Sequence, residues 1–133
     1  MEIQALAKQV AQAQPFTRYL GAELLEVQPK AVVFALEVRP EFYQHLGMVH
    51  GGVIAALLDN ALTFAGGTVL GAEVLTVEFK VNFLRPTRGQ RLKARAQVIH
   101  AGKRLAVVQG EVISEEDGES YLVALGQGTV SKV

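Results

Sequence analysis

The chain has 133 residues, 50% hydrophobic and 20% charged, which suits one packed globular core and not two. Thirteen basic residues balance thirteen acidic ones, so no global field draws the protein to a nucleic acid or an anionic membrane, and any bound anion must meet a local cluster. The absence of cysteine excludes a disulfide framework, a thiolate nucleophile and a sulfur-ligated metal, and a cytoplasmic location is expected.

Residues 1–14 read as a short amphipathic helix rather than a secretory signal, since they carry Glu2 and no long apolar stretch. Pro15 breaks that run. Two strand-like segments, 22–28 and 31–38, flank the turn signal Gln28-Pro29-Lys30 and predict a hairpin. A loop from Pro40 then leads to Gly51-Gly52 and the most apolar window of the chain, 51–72.

That window is long enough to raise the question of a membrane span. Its centre holds Asp59 and Asn60, and an acid there costs roughly 2.5–3.5 kcal/mol on insertion. Gly66-Gly67 is expected to cut the helix short of the ~20 residues a span needs. A buried central helix over Val53–Ala65 is the better reading.

From Thr76 the period changes to two. Val77, Phe79, Val81 and Phe83 alternate with Glu78, Lys80 and Asn82, a pattern that places Thr76 with the polar set and away from the core. Leu92, Ala94, Ala96 and Val98 repeat the alternation, and segments 104–114 and 120–130 add two strands joined at Asp117-Gly118. An α+β fold follows, a six-stranded antiparallel sheet wrapped around one long central helix in a single domain, 1–133.

Asp59 is the one ionisable residue of the buried helix, and desolvation disfavours its charge unless it is paired, hydrogen-bonded or protonated. Such acids concentrate at functional sites, although a structural bond to Thr63 one turn on accounts for it equally well. His50-Gly51-Gly52 stands where the helix begins. The N–H groups of Gly51 and Gly52 are expected to be unpaired donors at the positive end of a helix dipole, the arrangement of an oxyanion site. Asp59 lies eight residues beyond Gly51, ~12 Å along one helix, so both can act on one carbonyl carbon only across a dimer interface.

The run Gln44-His45-Leu46-Gly47-Met48-Val49-His50-Gly51-Gly52, with Ala56-Leu57-Leu58-Asp59 after it, resembles the signature of the phenylacetyl-CoA thioesterase (PaaI-like) branch of hotdog-fold acyl-CoA thioesterases. The resemblance extends through Thr76–Pro86 and Gly102-Lys103-Arg104, nearly the whole chain from Phe16. It implies hydrolysis of an acyl-CoA thioester to free acid and coenzyme A by a homotetramer built from dimers, with no metal and no cofactor beyond the coenzyme A of the substrate. It implies that the Gly51 N–H meets the thioester carbonyl, that Asp59 of the opposite subunit is nucleophile or general base, and that His50 supports the site. Gln44 stands where many members carry asparagine, and its amide can still donate. Thr76 matches a hydroxyl that orients water in some members, against its expected outward parity.

Coenzyme A brings three phosphate groups, for which Arg85, Arg88, Lys103 and Arg104 are candidate partners; Gly52, Asn60 and Thr63 complete the candidate binding residues. Phe42, Tyr43, Phe64, Ala61, Ala65, Gly66 and Gly67 are candidates for lining an acyl pocket, with aryl or medium-chain acyl groups expected. His45 and His100 read as surface residues. The competing functions are a non-catalytic acyl-CoA-binding module and a hotdog-fold enoyl-CoA hydratase or dehydratase.

Overall fold

A computed structural model of the chain describes residues 2–133. Two short helices, α1 (Ile3–Ala13) and α2 (Pro15–Leu20), precede a hairpin of β1 (Glu23–Gln28) and β2 (Ala31–Glu37). A single 3₁₀ turn at Pro40–Phe42 opens the loop to α3 (Gly51–Leu70), and four strands follow: β3 (Val74–Phe83), β4 (Arg91–Ala101), β5 (Leu105–Glu116) and β6 (Glu119–Lys132). The six strands form one antiparallel sheet in the order β1-β2-β4-β5-β6-β3, which leaves β1 and β3 as its edges. With α3 laid across that sheet, this is the hotdog architecture.

Helix and sheet meet closely because side chains are missing where they cross. Gly110 of β5 and Gly126 of β6 are direct partners in the ladder, and a Cβ on either would come within 2.9 Å of a Leu58 methyl. The paired glycines thus form the hollow that receives Leu58. Around it Leu57, Leu58, Ala61, Leu62 and Ala65 are fully buried against Ala94, Val108, Val112 and Ala124. Burial of these side chains stabilises the packing of helix on sheet at ~25 cal/mol per Å² of apolar surface. The flank of α3 beside the edge strand β3, with Gly52, Ala55 and Asp59 at helical spacing, is only partly covered within one chain.

Three expectations need correction. Pro15 follows the end of α1 at Ala13 as expected, but the chain re-enters a helix that was not expected: Pro15 occupies the first turn of α2, where its missing N–H is harmless, and α2 buries Thr17 and Leu20 before ending at Gly21 with φ of 75°. Helix α3 does not stop at Gly66-Gly67 but runs on to Leu70. A Cβ at Gly66 would lie 2.8 Å from Val130 Cβ, so this glycine marks the crossing of helix and sheet rather than a helix end. By length and composition α3 is the one described helix apolar enough to cross a bilayer, and the sheet occupies one of its sides.

The third correction concerns β3. Its ladder with β6 shifts register between Thr76 and Glu78, and this bulge turns Val77 outward. Val77 is consequently 60% exposed, while Thr76 faces the helix on the same side as Phe79 and Val81. A strict two-residue alternation counted back from Phe79 assigns Thr76 to the wrong face. Phe83 keeps the inward parity, but its ring lies at the sheet margin and is 53% exposed.

Candidate active site

Asp59 stands in the middle of α3, half-buried on the helix flank that faces the edge strand β3. Thr76 Oγ1 lies 2.6 Å from Asp59 Oδ1 and donates to it from β3. One helical turn on, Thr63 Oγ1 lies 2.8 Å from the Asp59 carbonyl oxygen, 3.2 Å from Oδ1 and 2.5 Å from Thr76 Oγ1. Each hydroxyl has one proton. If the Thr76 proton goes to Oδ1, the Thr63 proton is shared among its three acceptors. Both contacts to the carboxylate are made at Oδ1, and no described residue bonds Oδ2. The carboxylate is therefore clamped by one oxygen and open at the other.

The start of α3 is built as an anion-facing helix end with a single open donor. His50 is the N-cap, and its Nδ1 accepts the Gly52 N–H at 2.7 Å. A Cβ on Gly52 would stand 2.9 Å from that nitrogen, so glycine is needed for the imidazole to reach. This corrects the expectation of two open donors: the Gly52 N–H is taken. The Gly51 N–H has no partner among the described residues. The Phe83 ring flanks Gly51, at 3.4 Å from where its Cβ would be.

Two neighbouring segments hold the loop before the helix. Gln44 Oε1 accepts the N–H groups of Leu46 at 2.6 Å and Met48 at 3.2 Å, closing the loop on itself and leaving the amide Nε2 free to donate. Tyr43 Oη donates to the Arg88 carbonyl at 2.8 Å, and the Val49 N–H donates to the Thr87 carbonyl at 2.8 Å. Thr87 is itself buried, and its hydroxyl bonds Ser114 Oγ and Tyr121 Oη, each at 2.7 Å. This anchoring of the glycine loop through Thr87 was not visible in the sequence. Thr87, Ser114 and Tyr121 lie far apart in the chain, and no local pattern pairs them.

The other candidates divide. Asn60 lies on a different flank of α3, outside the cluster around Asp59, where Nδ2 donates to Thr17 Oγ1 at 3.1 Å and ties α3 to α2. The four cations are not one patch. Arg85 and Arg88 lie at the end of the sheet near the glycine loop, with the Arg85 guanidinium 5.0 Å from the Tyr121 ring centroid. Lys103 and Arg104 occupy the β4–β5 turn at the opposite end, beside Lys132. Among the acyl-pocket candidates, Ala61, Ala65 and Gly66 are packed against the sheet and Phe42 is core, whereas Phe64 and Gly67 line a cavity described below. Among the described residues no three histidine or acidic side chains gather as metal ligands.

The Thioesterase superfamily model matches residues 46–121, which span the glycine loop, α3 and the strands through the start of β6. Medium/long-chain acyl-CoA thioesterase YigI of Escherichia coli is 32% identical over 77% of this chain and 77% of its own. Human acyl-coenzyme A thioesterase 13 is 29% identical, covering 96% of this chain and 91% of its own. Among solved structures, a thioesterase family protein from Silicibacter pomeroyi superposes with a TM-score of 0.95 at 30% identity, covering 99% of this chain and 98% of its own. A variant of the phenylacetic acid degradation protein PaaI from Thermus thermophilus gives 0.80 at 33% identity, covering 90% and 100%. The chain belongs to the thioesterase superfamily, as a hotdog-fold enzyme of the PaaI-like family.

Proposed function

We propose that this enzyme hydrolyses acyl-CoA thioesters, with aryl or medium-chain acyl groups, to free acid and coenzyme A, at a site assembled from two copies of the chain. The observation that carries the two-chain reading is the layout of β3. Thr76, bonded to Asp59, and Phe83, packed on Gly51, lie on one edge strand seven residues apart. That separation is about 23 Å at ~3.3 Å per residue. Within one chain the acid and the open donor are eight residues apart on α3, ~12 Å along the helix, too far for both to touch one carbonyl carbon. Antiparallel pairing of β3 with its own copy, in the register that sets Thr76 opposite the partner's Phe83, brings Asp59 of one chain towards the partner's Gly51. Both residues point to the helix side of the sheet, as directly opposed residues must. The edge also exposes Leu75 and Val77, apolar surface that such pairing would cover.

In this arrangement the Gly51 N–H donates to the thioester carbonyl oxygen and stabilises the negative charge that develops there. The Oδ2 oxygen of Asp59 is the reactive one. It either attacks the carbonyl carbon, giving a mixed anhydride that water then cleaves, or takes a proton from the water that attacks. Both routes expel the coenzyme A thiolate and release one carboxylic acid. In this reading Gln44 Nε2 donates to the acyl carbonyl or to that water, and His50 fixes the helix start. Arg85 and Arg88 flank the same mouth as Gly51 and are the cations we assign to the coenzyme A phosphates; Lys103 and Arg104 reach them only from a neighbouring subunit.

The test is release of free thiol from acetyl-, hexanoyl-, phenylacetyl- and benzoyl-CoA by wild type and Asp59→Asn side by side. Turnover that falls by about 10³-fold or more in the variant, with the fold unchanged, supports the assignment. Wild-type turnover in Asp59→Asn removes Asp59 from the chemistry, and no release from any ester removes the acyl-CoA reading.

A further inference from the structure

Between α1 and the C-terminal half of α3 lies a cavity of about 70 Å³, walled by Ile3, Leu6 and Val10 on one side and by Phe64, Gly67 and Val74 on the other. Its rim includes Thr63, the residue whose hydroxyl reaches Asp59 Oδ1. The cavity thus begins next to the reacting carboxylate and leads away from it under α1. Its walls are mostly apolar, with Gln14, Thr63 and Thr68 the polar side chains and no charged one among them, so it suits a hydrocarbon better than the pantetheine or phosphate parts of a coenzyme A ester.

Gly67 argues that this space is used rather than left over. A glycine inside a helix is destabilising relative to alanine, and is retained where a close neighbour forbids a side chain. Gly66 has such a neighbour in Val130, but a Cβ at Gly67 would meet only Val74 Cγ2 at an ordinary 3.7 Å. Nothing in the packing requires the second glycine; what it supplies is the cavity.

The other wall is movable. The one hydrogen bond from an α1 side chain to the rest of the fold, among the described residues, is Gln4 Nε2 to the Val27 carbonyl at 3.4 Å. Otherwise α1 is held by apolar contacts of Ile3, Ala7, Val10 and Ala11. Of the two walls α1 is the less firmly held, so an occupant that reaches deep into the cavity is accommodated by outward movement of α1.

We propose, resting on the acyl-CoA thioesterase reading above, that this pocket takes the distal carbons of a linear acyl chain and that α1 is the wall that yields as the chain lengthens. Gly67 and Leu6 are then residues that set chain-length specificity.

The experiment compares kcat/KM for hexanoyl-CoA and dodecanoyl-CoA in wild type, Gly67→Leu and Leu6→Trp, with circular dichroism confirming that each variant is folded. Gly67→Leu fills the pocket from α3, and Leu6→Trp fills it from α1 without touching the central helix. Displacing even one methylene from an apolar pocket changes discrimination about tenfold or more, so the dodecanoyl-to-hexanoyl ratio is expected to fall at least tenfold in each folded variant. The native sequence has no tryptophan, so the introduced indole also reports directly: its emission should shift on binding a non-hydrolysable dodecyl thioether of coenzyme A. A ratio unchanged within about twofold in both folded variants overturns the proposal, as does a wild type that turns over hexanoyl-CoA but not dodecanoyl-CoA. A wild type inactive on every ester instead overturns the underlying acyl-CoA reading, so the two failures are distinguishable.

Discussion

Thr76 Oγ1 on β3 sits 2.6 Å from Asp59 Oδ1 on α3, a charge-assisted bond that joins the edge strand to the central helix at the candidate catalytic carboxylate. It fixes one oxygen of the acid and leaves the other for chemistry.

The isosteric change Thr76→Val removes that donor while keeping the strand packed. A hydrogen bond to a charged group contributes about 1.5–3 kcal/mol, so kcat should fall by about 10- to 100-fold. Thr76→Ser should recover most of the loss, because it restores the hydroxyl. Steady-state thiol release measures both. A Thr76→Val enzyme with wild-type kcat would mean that the carboxylate does not depend on this clamp.

The fold and the halves of the site differ in how far they can be read from the sequence, and the difference is one of range. The helix start at His50-Gly51-Gly52 and the lone acid in an apolar helix are local features, written in adjacent residues. The strands from 91 onward follow alternation that one-sided burial enforces, and the turn at Asp117-Gly118 has the positive φ values, 50° and 79°, that such a pair favours. The inward turn of Thr76 is not local. It depends on a bulge against β6, and a register shift leaves the apolar count of β3 almost unaltered. The separation of Arg85 and Arg88 from Lys103 and Arg104 is by contrast local, since the two pairs flank opposite ends of the one strand β4. Gly66-Gly67 misled because a glycine that breaks a helix and one that lets a helix touch a sheet look alike until Val130 is in place.

Gly66 gives a stability prediction with a built-in rescue. Alanine there gains about 1 kcal/mol of helix propensity, but its Cβ would sit 2.8 Å from Val130. Overpacking of this kind costs about 1–3 kcal/mol, so Gly66→Ala should be net destabilised by up to about 2 kcal/mol in urea denaturation. Combining it with Val130→Ala should cost less than the sum of the two single changes, because the methyl partly fills the vacated space. Strict additivity would show that the helix shifts to accommodate the new group.

His50 caps α3 through Nδ1, so His50→Ala should lose about 1 kcal/mol of stability and His50→Asn should retain most of it. Denaturant midpoints of the three proteins check this. Equal midpoints for His50→Ala and wild type would show that solvent satisfies the Gly52 N–H equally well.

The most direct test of the two-chain site is complementation between two inactive proteins. Gly51→Pro removes the one open donor with little disturbance: proline suits the first position of a helix, and His50 already has the extended backbone, φ −60° and ψ 134°, that a following proline requires. Asp59→Asn removes the acid. After subunit exchange in an equal mixture, half of the dimers are mixed and each has one intact site, so activity should rise to about a quarter of wild type. Activity that stays at the level of the separate variants, with exchange verified by mass spectrometry, would contradict a site shared between chains.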